Sequence, residues 1–244
     1  MINQNIPKIY NHLLSVYGYQ GWWPLVHTID DPALRSLADG YHPGQYDFPS
    51  TDAQKLEICL GAILTQNTRW LNVVKCLSSL ETSKLFSIDH LLESRPGQIA
   101  LAIKSVGYYN QKAKYLKNFA VFLSDHPFSE LEDLPSADCR RMILDIKGIG
   151  QETADCILLY ALRKTSFVVD AYTRRIFSKF DIVEPDASYQ KIKVLCESSL
   201  PDDLPMFQEF HALLVKHGKR FYSKKPHGVE DFLLTEHLFQ RGPI

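Results

Sequence analysis

The sequence predicts an all-α protein, and three observations predict it. Apolar residues recur at helical spacing along most of the chain, runs such as Phe167-Val168-Val169 are too isolated to build a sheet, and the turn Gly148-Ile149-Gly150 joins two helical stripes. Ile6, Ile9, Tyr10, Leu13, Leu14 and Tyr17 mark a first amphipathic helix. Further helical patterns follow near 53–64, 70–80, 98–106, 111–125, 137–146, 152–163, 171–180, 188–199 and 206–222. Pro135-Ser136 reads as a helix start ahead of Met142, Ile143 and Ile146, and Ala154, Ile157, Leu158, Ala161 and Leu162 line one face after the turn. Val26 to Thr51, with Asp30-Asp31-Pro32 and Tyr41-His42-Pro43-Gly44, is rich in turn residues and forms the longest irregular stretch.

Composition bounds the function classes. With 244 residues the chain can bury a substantial core in one or two domains. Lys and Arg number 27 against 28 Asp and Glu, so a nucleic-acid partner would have to be met by local basic clusters rather than by the total. Two such clusters are present: Lys216, Lys219, Arg220, Lys224 and Lys225, and Lys112, Lys114 and Lys117. Each reads equally as a solvated helix face. No apolar run approaches the roughly 20 residues that span a bilayer, and the N-terminus lacks the charged-then-apolar pattern of a signal peptide. Five scattered cysteines, Cys59, Cys76, Cys139, Cys156 and Cys196, fit buried thiols in a reducing compartment better than disulfides. A cytoplasmic protein is expected, nucleoid-associated if bacterial.

The turn at Gly148-Ile149-Gly150 carries the first chemistry. Glycines there permit positive φ and close backbone approach, and a helix N-terminus just beyond offers unpaired N–H groups and a positive dipole end, which suit a phosphate. Downstream lies a lone carboxylate, Asp170, directly ahead of the stripe Ala171, Tyr172, Ile176, Phe177 and Phe180. Local sequence reads it as a helix N-cap. That role is compatible with catalysis.

These features, with Gly61-Ala62-Ile63-Leu64-Thr65-Gln66-Asn67-Thr68 and Gly107-Tyr108-Tyr109-Asn110-Gln111-Lys112-Ala113 in the same order, resemble the helix-hairpin-helix DNA glycosylases related to endonuclease III. The resemblance covers most of the chain. It implies a two-domain fold: a six-helix barrel over about 54–165 that contains the hairpin near 137–163, and a domain joining 1–53 to 166–244, with the active-site cleft between them. It places the grip on the DNA backbone at Ile146, Gly148, Ile149 and Gly150, and base excision on Asp170. A fixed carboxylate stabilises the oxocarbenium-like state formed when a base leaves its sugar, and aligns or deprotonates a water. Gln66 and Tyr108 match the side chains that fill the gap left by a flipped base. The same residues taken alone read as a loop amide and a half-buried aromatic. Damaged double-stranded DNA is the implied partner, and a monomer is expected.

The departures from the family are informative. Bifunctional relatives carry a lysine just after the hairpin, where this chain has Glu152, and a carboxylate forms no Schiff base. A monofunctional enzyme that uses water is therefore expected. Many relatives hold an iron–sulfur cluster on four C-terminal cysteines. Here Phe221, Gly228, Asp231 and His237 stand at those places and no cysteine follows Cys196, so no cluster and no other metal or cofactor is expected.

Trp22-Trp23-Pro24, together with the three words above, resembles the 3-methyladenine glycosylase subgroup. Trp22 and Trp23 are candidates for the base pocket, where a cation–π contact to an alkylated purine is worth about 2 kcal/mol; taken by itself, a tryptophan pair before proline reads as core packing. Glu152 and Lys219 are placed with them. The word His217-Gly218-Lys219 matches one whose lysine can carry a carbamate in that subgroup, and Lys219 reads equally as a phosphate contact or a solvated charge. Two alternatives remain: an endonuclease III-like glycosylase for another damaged base, and a non-catalytic helix-hairpin-helix DNA-binding protein.

Overall fold

The computed structural model describes residues 3–26 and 40–237, and those residues are helical without a β-strand. The chain divides into two compact units, one built from Met1–Trp22 with Thr165–Ile244 and the other from Trp23–Lys164. No helix among the described residues is long and apolar enough to cross a membrane.

After α1 (Asn5–Tyr17), which belongs to the terminal unit, the central unit holds in order α2 (Asp52–Thr65), α3 (Trp70–Thr82), α4 (Ile88–Glu93), α5 (Pro96–Ala102), α6 (Tyr109–Asp125), α7 (Phe128–Asp133), α8 (Ser136–Leu144) and α9 (Gln151–Cys156), the last continuing as a π-helical turn over Ile157–Ala161. A Thr51–Gln54 capping box starts α2, whose residues Gln54–Leu64 are all buried. A helix enclosed on every side forms the middle of its unit. Its polar members are satisfied: Lys55 pairs with Asp52 at 3.0 Å and Glu132 at 2.5 Å, and the Glu57 carboxylate accepts the Val26 amide at 2.6 Å.

The terminal unit contains α1 (Asn5–Tyr17), α10 (Ala171–Lys179), α11 (Tyr189–Ser199), α12 (Leu204–Phe221) and α13 (Phe232–His237). Its core gathers Ile6, Ile9, Leu13, Phe167, Phe177 and Phe210, with Phe210 edge-on to Tyr10. α10 and α12 meet at Gly218, where an added Cβ would lie 2.3 Å from Tyr172 Cγ. A glycine is therefore required there by close helix packing.

The two compact units part at Trp22/Trp23, where the resemblance implied a division at 53/54. Trp23 packs on Trp70 and Tyr160 of the central unit, its indole lies against Gly61, and His42 bonds the Trp23 carbonyl at 2.9 Å. These contacts draw Trp23–Val26 and 40–53 onto the central helices; residues 27–39 of the expected irregular stretch lie outside the described residues. The predicted 152–163 helix also changes character, because Leu162 N–H donates to Ile157 C=O, a five-residue loop, and Arg163 closes it at φ 52°. α4, α7 and α13 are each six residues long, under two turns, and too short to leave a readable stripe.

Candidate active site

The central unit presents the hairpin. α8 ends at Leu144, Gly148 takes φ 105°, and Gly150 starts α9. Gly148 is demanded twice over: its φ is left-handed, and an added Cβ would sit 2.1 Å from the Tyr115 ring. Gly150 differs. Its φ of −95° suits any residue and nothing lies within 4 Å of its missing Cβ, so the fold does not require glycine there. An open approach to the N–H groups of the next turn is what that glycine leaves. Ile146 and Ile149, expected at the DNA grip, are buried, so their side chains anchor the loop and only backbone is on offer. Arg140 and Asp155 lock the two helices by a bidentate pair at 2.8 and 2.9 Å.

Gln66 is tied to this hairpin. Its amide nitrogen donates to Gly148 C=O at 3.1 Å and to Thr153 Oγ1 at 3.0 Å, which leaves the amide oxygen outside these two bonds. Tyr108 is 80% exposed in a left-handed conformation at the start of α6. Large aromatics are seldom held out in water on a strained backbone without a use. Glu152 is exposed in the first turn of α9.

The expected basic patch on α6 is largely dissolved by the structure. Lys112 is buried, donating to Leu64 C=O, Gln66 C=O and Thr68 Oγ1 at 2.8, 2.7 and 2.6 Å. Lys117 donates to Leu92 C=O at 3.0 Å and Ser94 C=O at 2.5 Å. Both cations cap carbonyls of neighbouring helix ends, and of the three lysines Lys114 alone is left exposed.

The terminal unit presents the carboxylate. Asp170 caps α10, and both its bonds, from Thr173 N–H at 2.7 Å and Thr173 Oγ1 at 2.8 Å, end on Oδ1. Oδ2 has no partner among the described residues. One oxygen positions the group while the other stays available. The charge of Asp170 acts on two neighbours along α12: His211, which burial pushes down to about 4, and Lys219, whose ammonium is also lowered by partial burial. Asp170 opposes both shifts.

Trp22 completes this group. Its loop is pinned by the buried Glu209 carboxylate, which accepts the Gln20 and Gly21 amides at 2.6 and 2.9 Å. The half-buried indole stands edge-on to His211 at 5.6 Å, and Lys219 Nζ lies 6.0 Å from its centroid. Thus Trp22, Lys219 and Asp170 gather in one unit, with Trp23 and Glu152 in the other. Sequence reading missed Glu209 and His211. Their signal was present, as polar residues inside the apolar stripe of Phe207, Phe210, Leu213 and Leu214.

His211 makes the fold acid-sensitive. Its folded pKa of about 4 lies below the usual 6.5, so between those values the unfolded chain binds a proton that the folded chain does not. Stability is therefore lost as pH falls through that window, by up to on the order of 3 kcal/mol. His211→Gln is expected to flatten the dependence. Urea midpoints at pH 7 and pH 5 check this, and equal pH differences in variant and parent would refute it.

Around Phe221, Gly228 and Asp231 the chain is packed. Asp231 is buried and its Oδ2 accepts His217 Nε2–H at 2.8 Å and Tyr222 O–H at 2.7 Å. With the proton on Nε2, His217 Nδ1 accepts from Tyr17 O–H at 3.0 Å. Gly228 turns at φ 67° against the Tyr222 ring, and Phe221 lies tilted against His217 and edge-on to Phe232. Among the described residues no three His, Cys, Asp or Glu side chains group to hold a metal ion.

The HhH-GPD family model, a superfamily of base excision DNA repair proteins, matches residues 60–202. The chain belongs to this superfamily. It is 38% identical over 225 residues to a Methanocaldococcus jannaschii protein described as a DNA repair glycosylase, covering 90% of each chain. It is 29% identical over 172 residues to endonuclease III of Sulfolobus acidocaldarius, covering 68% of this chain and 74% of that one. Among solved structures, the H. pylori 3-methyladenine DNA glycosylase bound to 1,N6-ethenoadenine aligns with TM-score 0.59 and 28% identity, over 69% of this chain and 86% of that one. An endonuclease III–DNA complex aligns with TM-score 0.69 over 92% and 90%; at 15% identity it speaks for the HhH-GPD fold alone.

Proposed function

We propose that this HhH-GPD protein is a monofunctional DNA glycosylase that removes alkylated purines, 3-methyladenine among them, from double-stranded DNA. The observation that carries the reading is the divided carboxylate of Asp170: Oδ1 is fixed by Thr173 and Oδ2 is left for chemistry, on the unit that also holds Trp22. In the reaction the C1′–N bond breaks and its electron pair leaves with the base. A purine alkylated at N3 or N7 already carries positive charge, so it departs neutral, and Asp170 has only to stabilise the cationic sugar. Water adds to C1′ and gives its proton to the Asp170 carboxylate. Trp22 offers an electron-rich face for a cationic base. The hairpin holds the backbone through its amides, and Gln66 and Tyr108 occupy the gap in the base stack. The likeness to the H. pylori enzyme supports the purine class.

Glu152, exposed at the hairpin helix, supplies no amine for covalent attack, which supports hydrolysis without strand cleavage. The test is a panel of duplexes with single 3-methyladenine, 1,N6-ethenoadenine, oxidised pyrimidine or uracil lesions, read for free base, for nicking and for borohydride trapping. Purine release without nicks or trapped adduct is expected. Release of pyrimidines alone, or a trapped adduct as strong as that of a bifunctional enzyme, refutes the reading, and binding without release of any base would identify a non-catalytic binder.

A further inference from the structure

Lys112 stands in none of the roles above. It is 3% exposed, and its ammonium meets three acceptors, Leu64 C=O, Gln66 C=O and Thr68 Oγ1, at 2.6–2.8 Å. A lysine ammonium has three donors and no acceptor, so this cradle satisfies it completely. Lys112 also lies one turn into the helix that Tyr108 starts, its N–H making the ordinary first-turn bond to Tyr108 C=O at 3.0 Å. One residue therefore bonds both the Gln66 and the Tyr108 carbonyls. Gln66 in turn bonds Gly148 C=O and Thr153 Oγ1 of the hairpin. A continuous hydrogen-bonded path runs from Tyr108 through Lys112 and Gln66 to the hairpin, all within the central unit.

We propose that Lys112 is a positioning residue that sets the Gln66 and Tyr108 loops at a fixed spacing from the hairpin, so that backbone grip and entry into the base stack occur together. The proposal rests on the reading that Gln66 and Tyr108 enter the duplex. Burial holds the Lys112 pKa down at about 8, a desolvation penalty that a solvent-exposed lysine would escape and that the three acceptors offset. Both loops also carry strained residues, Asn67 at φ 50° and Tyr108 at φ 55°. Such conformations persist where surrounding bonds over-determine them. Lysine suits the place better than arginine, because the three acceptors converge on one point and a planar guanidinium cannot meet them.

The full-length chain is tested as parent, Lys112→Met, Thr68→Val and Thr68→Ser. The Thr68 pair keeps the lysine and removes or retains one hydroxyl, which accepts from Lys112 and donates to Gln66 C=O at 3.2 Å. One readout is single-turnover excision, from duplex and from single-stranded DNA, of the panel lesion that the parent releases fastest. The other needs no chemistry: the fluorescence rise of 2-aminopurine placed opposite an abasic analogue, which reports unstacking on binding. For Lys112→Met, duplex excision is expected to fall about tenfold or more beyond any loss on single strands, since unstacking is needed only in the duplex. The fluorescence rise is expected to disappear while the duplex is still bound. Thr68→Val should show the same split in smaller degree and Thr68→Ser should match the parent. If Lys112→Met does not fold, the Thr68 pair decides. Equal losses on both substrates, an undiminished fluorescence rise, or Thr68→Val indistinguishable from Thr68→Ser overturn the proposal. A parent that unstacks the duplex but releases no base overturns the glycosylase reading and leaves this one standing.

Discussion

Asp170→Asn is expected to leave the fold intact and to reduce base excision on the order of a hundredfold or more. Two roles meet on this residue and the substitution separates them. Asn caps a helix about as well as Asp, and the amide oxygen can take the place of Oδ1 in accepting Thr173 N–H and Oγ1. The lost feature is the charge, together with the second oxygen that has no partner among the described residues. A neutral amide stabilises neither an oxocarbenium-like sugar nor a hydronium-like proton on the attacking water. Asp170→Ala supplies the contrast, since it also removes the cap and should cost about 1 kcal/mol of stability. Single-turnover excision with thermal unfolding checks both. Parent-level excision by the Asn variant would leave Asp170 as a cap and nothing more.

Arg140→Met should produce the largest loss of stability, about 3–5 kcal/mol. Asp155 is 0% exposed and its carboxylate receives both guanidinium bonds. Removing Arg140 takes the bidentate cation from a carboxylate buried inside the central unit, where desolvation is then no longer repaid by that pair. The double variant Arg140→Met, Asp155→Leu should recover much of the loss, because an apolar pair of similar volume needs no compensation. Urea unfolding of the single and double variants measures this. A loss below about 1 kcal/mol in the single variant would class the pair with ordinary surface ion pairs. The pair joins α8 to α9, so weakened duplex binding should accompany the change.

Much of this was legible in the sequence, for identifiable reasons. Long helices carry two or more turns of apolar repeat, so α1, α2, α6, α10, α11 and α12 are readable from spacing. Gly148 is readable because it stands where no other residue fits, and Asp170 because capping depends on neighbours three residues away. The resemblance of three words to endonuclease III-like glycosylases rests on such local signals, and family membership follows it. Other parts were hidden. Trp22 and Trp23 are adjacent and look alike, yet they belong to different units, since Gly61 makes room for one indole and Glu209 pins the loop of the other. Lys112 and Lys117 look like a charged helix face, and only the fold shows carbonyls waiting for them.

Sequence alone determined the helical class, the order of its motifs, and the chemical types present at the hairpin and at Asp170, because periodicity and capping are short-range. Tertiary structure decided which charges are buried, which oxygen of Asp170 is occupied, and that Lys112 joins two loops separated by over forty residues. Those outcomes depend on which distant backbone carbonyls converge on a side chain, and no local pattern encodes that.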